Sequence, residues 1–96
     1  MRIVSRKTIR EATEKHNEWG AFLKAWCKVT KHADWENFTD VRNSWESSDT
    51  VGRFVVFNIS HNRRRLIATI KYKWRMVYIR CILSHAEYDQ KEWQKG

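Results

Sequence analysis

Ninety-six residues allow one hydrophobic core and exclude two independent ones. Apolar residues make up 42% of the chain and six residues are tryptophan, which excludes a disordered tail; 19 Lys and Arg against 11 Asp and Glu, net +8, point to a polyanionic partner, nucleic acid ahead of a membrane surface. No apolar run reaches the length of a spanning helix and the opening residues lack the apolar centre of a signal peptide, so a cytoplasmic protein is expected.

Residues 1–4 read as a short strand, at a sheet edge or within it. Ser5 is placed to cap a helix whose narrow apolar stripe is Ile9, Ala12 and His16, set among charges that form a solvated face. Gly20 marks a break. Beyond it, Phe22, Ala25, Trp26 and Val29 follow the i, i+3, i+4, i+7 spacing of a second helix that ends near His32, whose charge suits a helix C-terminus. Trp35, Phe38, Val41 and Trp45 suggest one more short helix, with Ala33 and Asp34 as its cap. These aromatics are read as core, the alternative being a base-stacking platform for single-stranded RNA. Residues 46–49 read as a loop.

A meander of three antiparallel strands is expected from about residue 51 to 83. Residues 54–59 form an apolar strand closed by a turn at residues 60–63. In residues 65–72 one face is Leu66, Ala68, Ile70 and Tyr72, and the other Arg65, Ile67, Thr69 and Lys71. After a tight turn at Lys73 and Trp74, the last strand sets Val77, Ile79, Cys81 and Leu83 on a wholly apolar face, with Met76, Tyr78, Arg80 and Ile82 opposite. It runs into a capping box, Ser84 with Glu87, that starts a short helix or turn carrying His85, Tyr88 and Asp89. The architecture is α+β, with N-terminal helices on one face of a small antiparallel sheet and cations on the other. Cys27 and Cys81 read as buried, unpaired small hydrophobes, and no cysteine or histidine spacing suits a metal.

The run YIRCILSHAEYD, together with MRIVS, FVVFNIS and RRRLIATIKY, resembles the HigB-type toxins of bacterial toxin-antitoxin pairs, members of the RelE-like group of messenger-RNA interferases. The resemblance implies one RelE-like domain over residues 1–96. It further implies cleavage of messenger RNA in the ribosome's decoding site, and neutralisation by a DNA-binding antitoxin of the HigA type. RelE-like toxins vary in their acid-base side chains, some using lysine, arginine and a late tyrosine, others histidine.

The residues themselves point to RNA chemistry of that kind. Metal-free cleavage needs a base for the ribose 2′-OH, cations for the phosphate, an acid for the leaving oxygen and an aromatic contact to the base. His85 alone near the signature titrates near neutrality, and serves as general base or general acid. Arg80, a charge within an apolar strand, is costly there without a partner or a task, and its guanidinium suits a phosphate. Tyr88 is a candidate for stacking or proton donation, and Lys71 for added charge at the reacting phosphate. Arg63, Arg64, Arg65 and Lys73 are candidate RNA-binding residues, against the plainer reading of Arg63 and Arg64 as turn residues that keep the sheet soluble. Asp89 is a candidate for orienting His85 or Arg80. The plainer readings are that Tyr88 seals the last helix onto the sheet, Asp89 is an ion-pair partner for Arg80 or Lys91, and His85 is a surface residue. A non-catalytic nucleic-acid-binding module is the alternative function, and a protein-binding domain with a basic groove a third. A membrane role has least support, because no helix joins a strongly basic face to a large apolar one.

Overall fold

The computed structural model describes residues 1–4, 11, 20–59 and 64–90, without the side chains of His85 and Gln90. The helix expected over Ile9, Ala12 and His16, the turn at residues 60–63 and Arg63 with it therefore lie outside the described residues, apart from Glu11, which is helical.

Five strands form one sheet in the order β1-β5-β4-β3-β2. These are β1 (Arg2–Val4), β2 (Ser48–Val51), β3 (Phe54–Ile59), β4 (Arg64–Lys71) and β5 (Met76–Ser84), with helices α1 (Gly20–His32) and α2 (Phe38–Ser44) between β1 and β2, and α3 (His85–Gln90) after β5. The chain starts at one edge, crosses by way of the helices to the opposite edge, and returns strand by strand until β5 lies beside β1. That last pairing is parallel, with Ile3 against Val77, so the sheet is mixed rather than antiparallel throughout. A hairpin cannot join parallel neighbours, and here α1, α2 and the strands β2 to β4 all lie between the two in sequence.

β2 replaces the loop expected at residues 46–49. Ser48 pairs with Phe57 and Val51 with Phe54. It is an edge strand, and short polar edges discourage pairing with other chains, so it lacks the apolar alternation that marks its neighbours. Its turn into β3 is two residues long. Gly52 has φ +58 while Arg53 keeps a negative φ, the pattern of a type II′ turn that needs glycine first.

The main core lies between the sheet and α1. Val55, Phe57, Ile59, Leu66, Ala68, Ile70, Val77 and Ile79 face Leu23 and Trp26, with Trp35 and Val41 from the following segment. Phe57 sits between two indoles, edge-on to Trp26 at 5.3 Å between ring centres and stacked with Trp35 at 6.1 Å. The buried stripe of α1 is Gly20, Leu23, Trp26 and Thr30, roughly a quarter-turn from the expected face, with Ala25 exposed and Val29 half-buried. Glycine and threonine carry little hydrophobic signal, yet here they occupy the buried stripe.

Trp35 is 2% exposed, and its Nε1 donates to Ser44 Oγ at 3.0 Å. Trp45 is half-buried and donates to the Asn58 carbonyl at 3.0 Å. Both belong to the core, as first read, and neither is the alternative stacking platform. The cap of α2 is Asn37, whose side chain accepts from the Asp40 N–H at 3.1 Å, rather than Ala33 and Asp34. Asp34 instead joins Glu36 in binding Arg75, at 2.5 and 3.6 Å.

Candidate functional site

The sheet face turned away from α1 carries Arg65, Lys71 and Arg80 among the expected site residues, and a bulge decides what lies on it. β4 and β5 pair residue for residue from Lys71 against Met76 to Ala68 against Ile79, then skip one, so that Ile67 faces Cys81. Arg80 is the extra residue. An inserted residue reverses the alternation beyond it. Val77 and Ile79 therefore face the main core as expected, but Cys81 and Leu83 turn to the outer face and Ile82 turns inward. The wholly apolar face predicted for this strand is thus split at Arg80, and the outer face is not simply basic. It holds a second apolar cluster of Phe54, Val56 and Ile67, with Val51, Cys81, Leu83 and Tyr88 packed around it.

Arg80 is exposed on this face. Its Nε donates to Thr69 Oγ1 at 3.1 Å, and its guanidinium carbon lies 6.0 Å from the centre of the Tyr78 ring. Thr69 and Tyr78 are cross-strand partners, so a single pair on the sheet orients the arginine from below. With Nε engaged, the fork of the terminal nitrogens is the part suited to a phosphate.

α3 starts where β5 ends, through the capping box expected from Ser84 and Glu87. The Ser84 N–H donates to Glu87 Oε1 at 3.0 Å, and the Glu87 N–H to Ser84 Oγ at 3.3 Å. His85 is the first residue of the helix. Tyr88, one turn on, is half-buried against the outer cluster, and Arg65 lies 5.4 Å from the centre of its ring. The plainer reading of Tyr88 is therefore realised, since its ring seals α3 to the sheet. That same contact fixes it beside an arginine. Arg65 pairs with Leu83, about three residues along β5 from Arg80, roughly 10 Å at a strand's ~3.3 Å rise.

The hydrogen bonds from the Ser84 N–H and hydroxyl, with a smaller contribution from the Arg64 charge, hold the Glu87 carboxyl below the usual carboxylate range. Because its folded pKa is depressed, the cap contributes above the unfolded pKa and is lost as pH falls through the folded value. The Ser84 amide resonance should accordingly titrate with a midpoint below that of an ordinary glutamate, and should stop titrating there in Glu87→Gln. A midpoint at or above the ordinary value would show that the cap does not form. Burial, and second the charge of Glu87, pushes the Cys81 thiol up, so it stays neutral and unreactive near neutrality. Cys27 packs on the opposite side of the sheet, and no disulfide joins the two cysteines.

The cationic candidates are spread along β4. Lys71 pairs with Met76, six residues from Arg65, which puts it about 20 Å away along the strand. Lys73 follows in a 3-10 turn (Tyr72–Trp74). Arg64 has the opposite parity to Arg65 and pairs with Ser84, where its charge acts on Glu87. The structure thus sets Arg80 near the middle of the outer face, with its Nε on Thr69, which lies two residues or about 7 Å from Lys71 along β4 and four residues or about 13 Å from Arg65. Arg65, Tyr88 and the start of α3 lie toward one end and Lys73 toward the other.

Thr69 and Tyr78, which hold Arg80, were not singled out by the sequence, although alternation had put Thr69 on this face. Among the described residues, no three His, Cys, Asp or Glu side chains gather as a metal site, and no helix is long and apolar enough to cross a membrane.

Residues 20–91 match the HigB toxin family, the RelE-like toxic component of a toxin-antitoxin system. The chain is 25% identical over 93 residues to the mRNA interferase HigB of Escherichia coli O6:H1 strain CFT073, covering 94% of this chain and 90% of that protein. It is 24% identical over 92 residues to the mRNA interferase toxin HigB of Escherichia coli K12, covering 93% and 88%, and equally to the mRNA interferase HigB of Shigella flexneri. The matched region takes in α1, the meander, the bulge at Arg80 and all of α3, and on it the chain belongs to the HigB family of RelE-like toxins.

Proposed function

We propose that the protein arrests growth by cutting messenger RNA, as an endoribonuclease that needs no metal ion and acts on the ribosome, in the cytoplasm, until an antitoxin of the HigA type covers it. The observation that carries this reading is Arg80, exposed at a bulge and oriented by Thr69, on the face that also bears Arg65 and Tyr88. In the reaction the ribose 2′-oxygen loses its proton to a base and attacks the adjacent phosphorus. The bond to the 5′-oxygen breaks as an acid protonates it, leaving a cyclic phosphate and a free 5′-hydroxyl. Arg80 binds the non-bridging oxygens as their charge grows, and Arg65 adds a second cation. His85 moves the proton as base or acid, and Tyr88 holds the base or supplies the other proton. Lys71 and Lys73 meet phosphates further along the strand, and Arg63 and Arg64 meet phosphates of the same RNA. The relatives named mRNA interferase support the substrate.

The test is to induce the protein in a bacterium lacking the antitoxin, follow growth, and map new 5′ ends on messenger RNA. Arrest with new ends inside translated regions is expected. Growth at the normal rate with no new ends would leave the outer face as a binding surface and end the nuclease reading.

A further inference from the structure

The tryptophan most exposed to solvent among the described residues is Trp74, 64% exposed, whereas Trp26 and Trp35 are buried and Trp45 half-buried. It stands in the 3-10 turn between β4 and β5. The turn is held firmly. The Tyr72 carbonyl accepts from the Arg75 N–H at 3.2 Å and from Arg75 Nη1 at 2.6 Å, and the same guanidinium binds Asp34 and Glu36. Arg75 itself is left-handed, φ 56. The nearby acids Asp34 and Glu36 are thus engaged by Arg75, while one cation lies over the indole and two more share this end of the sheet. Lys73 Nζ lies 5.0 Å from the ring centre of Trp74, and exposed Lys71 and Arg2 flank Met76 on the neighbouring strands.

We propose that Trp74 stacks an unpaired RNA base while Lys71, Lys73 and Arg2 bind the flanking phosphates, a second RNA contact about 20 Å along β4 from Arg65. A clamped indole among cations matches single-stranded nucleic acid, since every base offers a π-face and every linkage a charge. RNA bound at Trp74 runs a few nucleotides along the outer face to the fork of Arg80. The proposal rests on the RNA-cleaving reading, but binding alone tests it. The base belongs either to the message or to ribosomal RNA.

Wild type, Trp74→Ala, Trp74→Phe and the double variant Lys71→Ala, Lys73→Ala would be titrated with an unstructured 2′-O-methyl oligonucleotide, which cannot be cut, and with ribosomes free of messenger RNA. Trp74→Ala is expected to weaken one of these by about tenfold to a hundredfold, with Trp74→Phe close to wild type and the double lysine variant showing a shallower salt dependence. Loss on the oligonucleotide assigns the base to the message, and loss on ribosomes alone assigns it to ribosomal RNA. If Trp74→Ala stays within about twofold on both, the stacking role is overturned, and a loss confined to antitoxin binding would make the indole a protein contact instead. Because neither arm measures cleavage, a protein that binds through Trp74 but never cuts would end the nuclease reading alone.

Discussion

Arg80→Ala is expected to lower messenger-RNA cleavage by about 10²–10³-fold and to abolish growth arrest, while the melting temperature stays within a few degrees of wild type. The size follows from the transition state, in which charge builds on the phosphate oxygens where a fixed guanidinium fork meets them. The unchanged stability follows from exposure, since the side chain sits on the outer face and supports no core contact. Arg80→Lys keeps a charge but cannot hold Thr69 and a phosphate together in one plane, so it should recover only a small part of the rate. Thr69→Val leaves the arginine in place and removes the acceptor that orients it. Its kcat should fall less than in Arg80→Ala, with KM nearly unchanged, as fits a positioning residue. His85→Ala should cost about 10²–10⁴-fold if the imidazole moves the proton. Cleavage by Arg80→Ala within about threefold of wild type would remove the phosphate role, and the basic face would then be a binding surface.

The three central strands were legible because β3 is an apolar run buried on both faces while β4 and the first half of β5 keep one face wholly apolar, and the cap at Ser84 and Glu87 was legible because it is local. What sequence periodicity cannot show is pairing. The bulge at Arg80 is a property of two strands together, and it moves Cys81, Ile82 and Leu83 to faces their parity does not predict. β2 was missed for the opposite reason, since its polar residues suit an edge and send no apolar signal. Arg80 itself stood out as a charge in an apolar run, but its support did not, because Thr69 lies eleven residues earlier and meets it only through the register. Trp74 was hidden as a turn residue, while attention to aromatics went to Trp35 and Trp45, which the main core absorbs.

Phe57→Ala should be the most damaging single change to the fold. The ring is fully buried on β3, between Trp26 of α1 and Trp35 of the segment that follows it, so it joins the helical layer to the middle of the sheet. Removing it opens a cavity bounded by two rigid indoles that cannot collapse into it, a loss of about 3–5 kcal/mol. A chain of this length is stable by only about 5–14 kcal/mol, so the melting temperature should drop by about 12–40 °C. Urea unfolding followed by tryptophan fluorescence would measure it. Phe57→Leu, which keeps most of the volume, should retain more than half of what alanine loses. A cost for Phe57→Ala below about 1 kcal/mol would mean that the two tryptophans do not meet across this ring. The variant also serves as a control for Arg80→Ala. Phe57→Ala should lose growth arrest through falling protein levels, whereas Arg80→Ala should lose it at undiminished abundance, and only the second pattern identifies a residue of the RNA-cutting face.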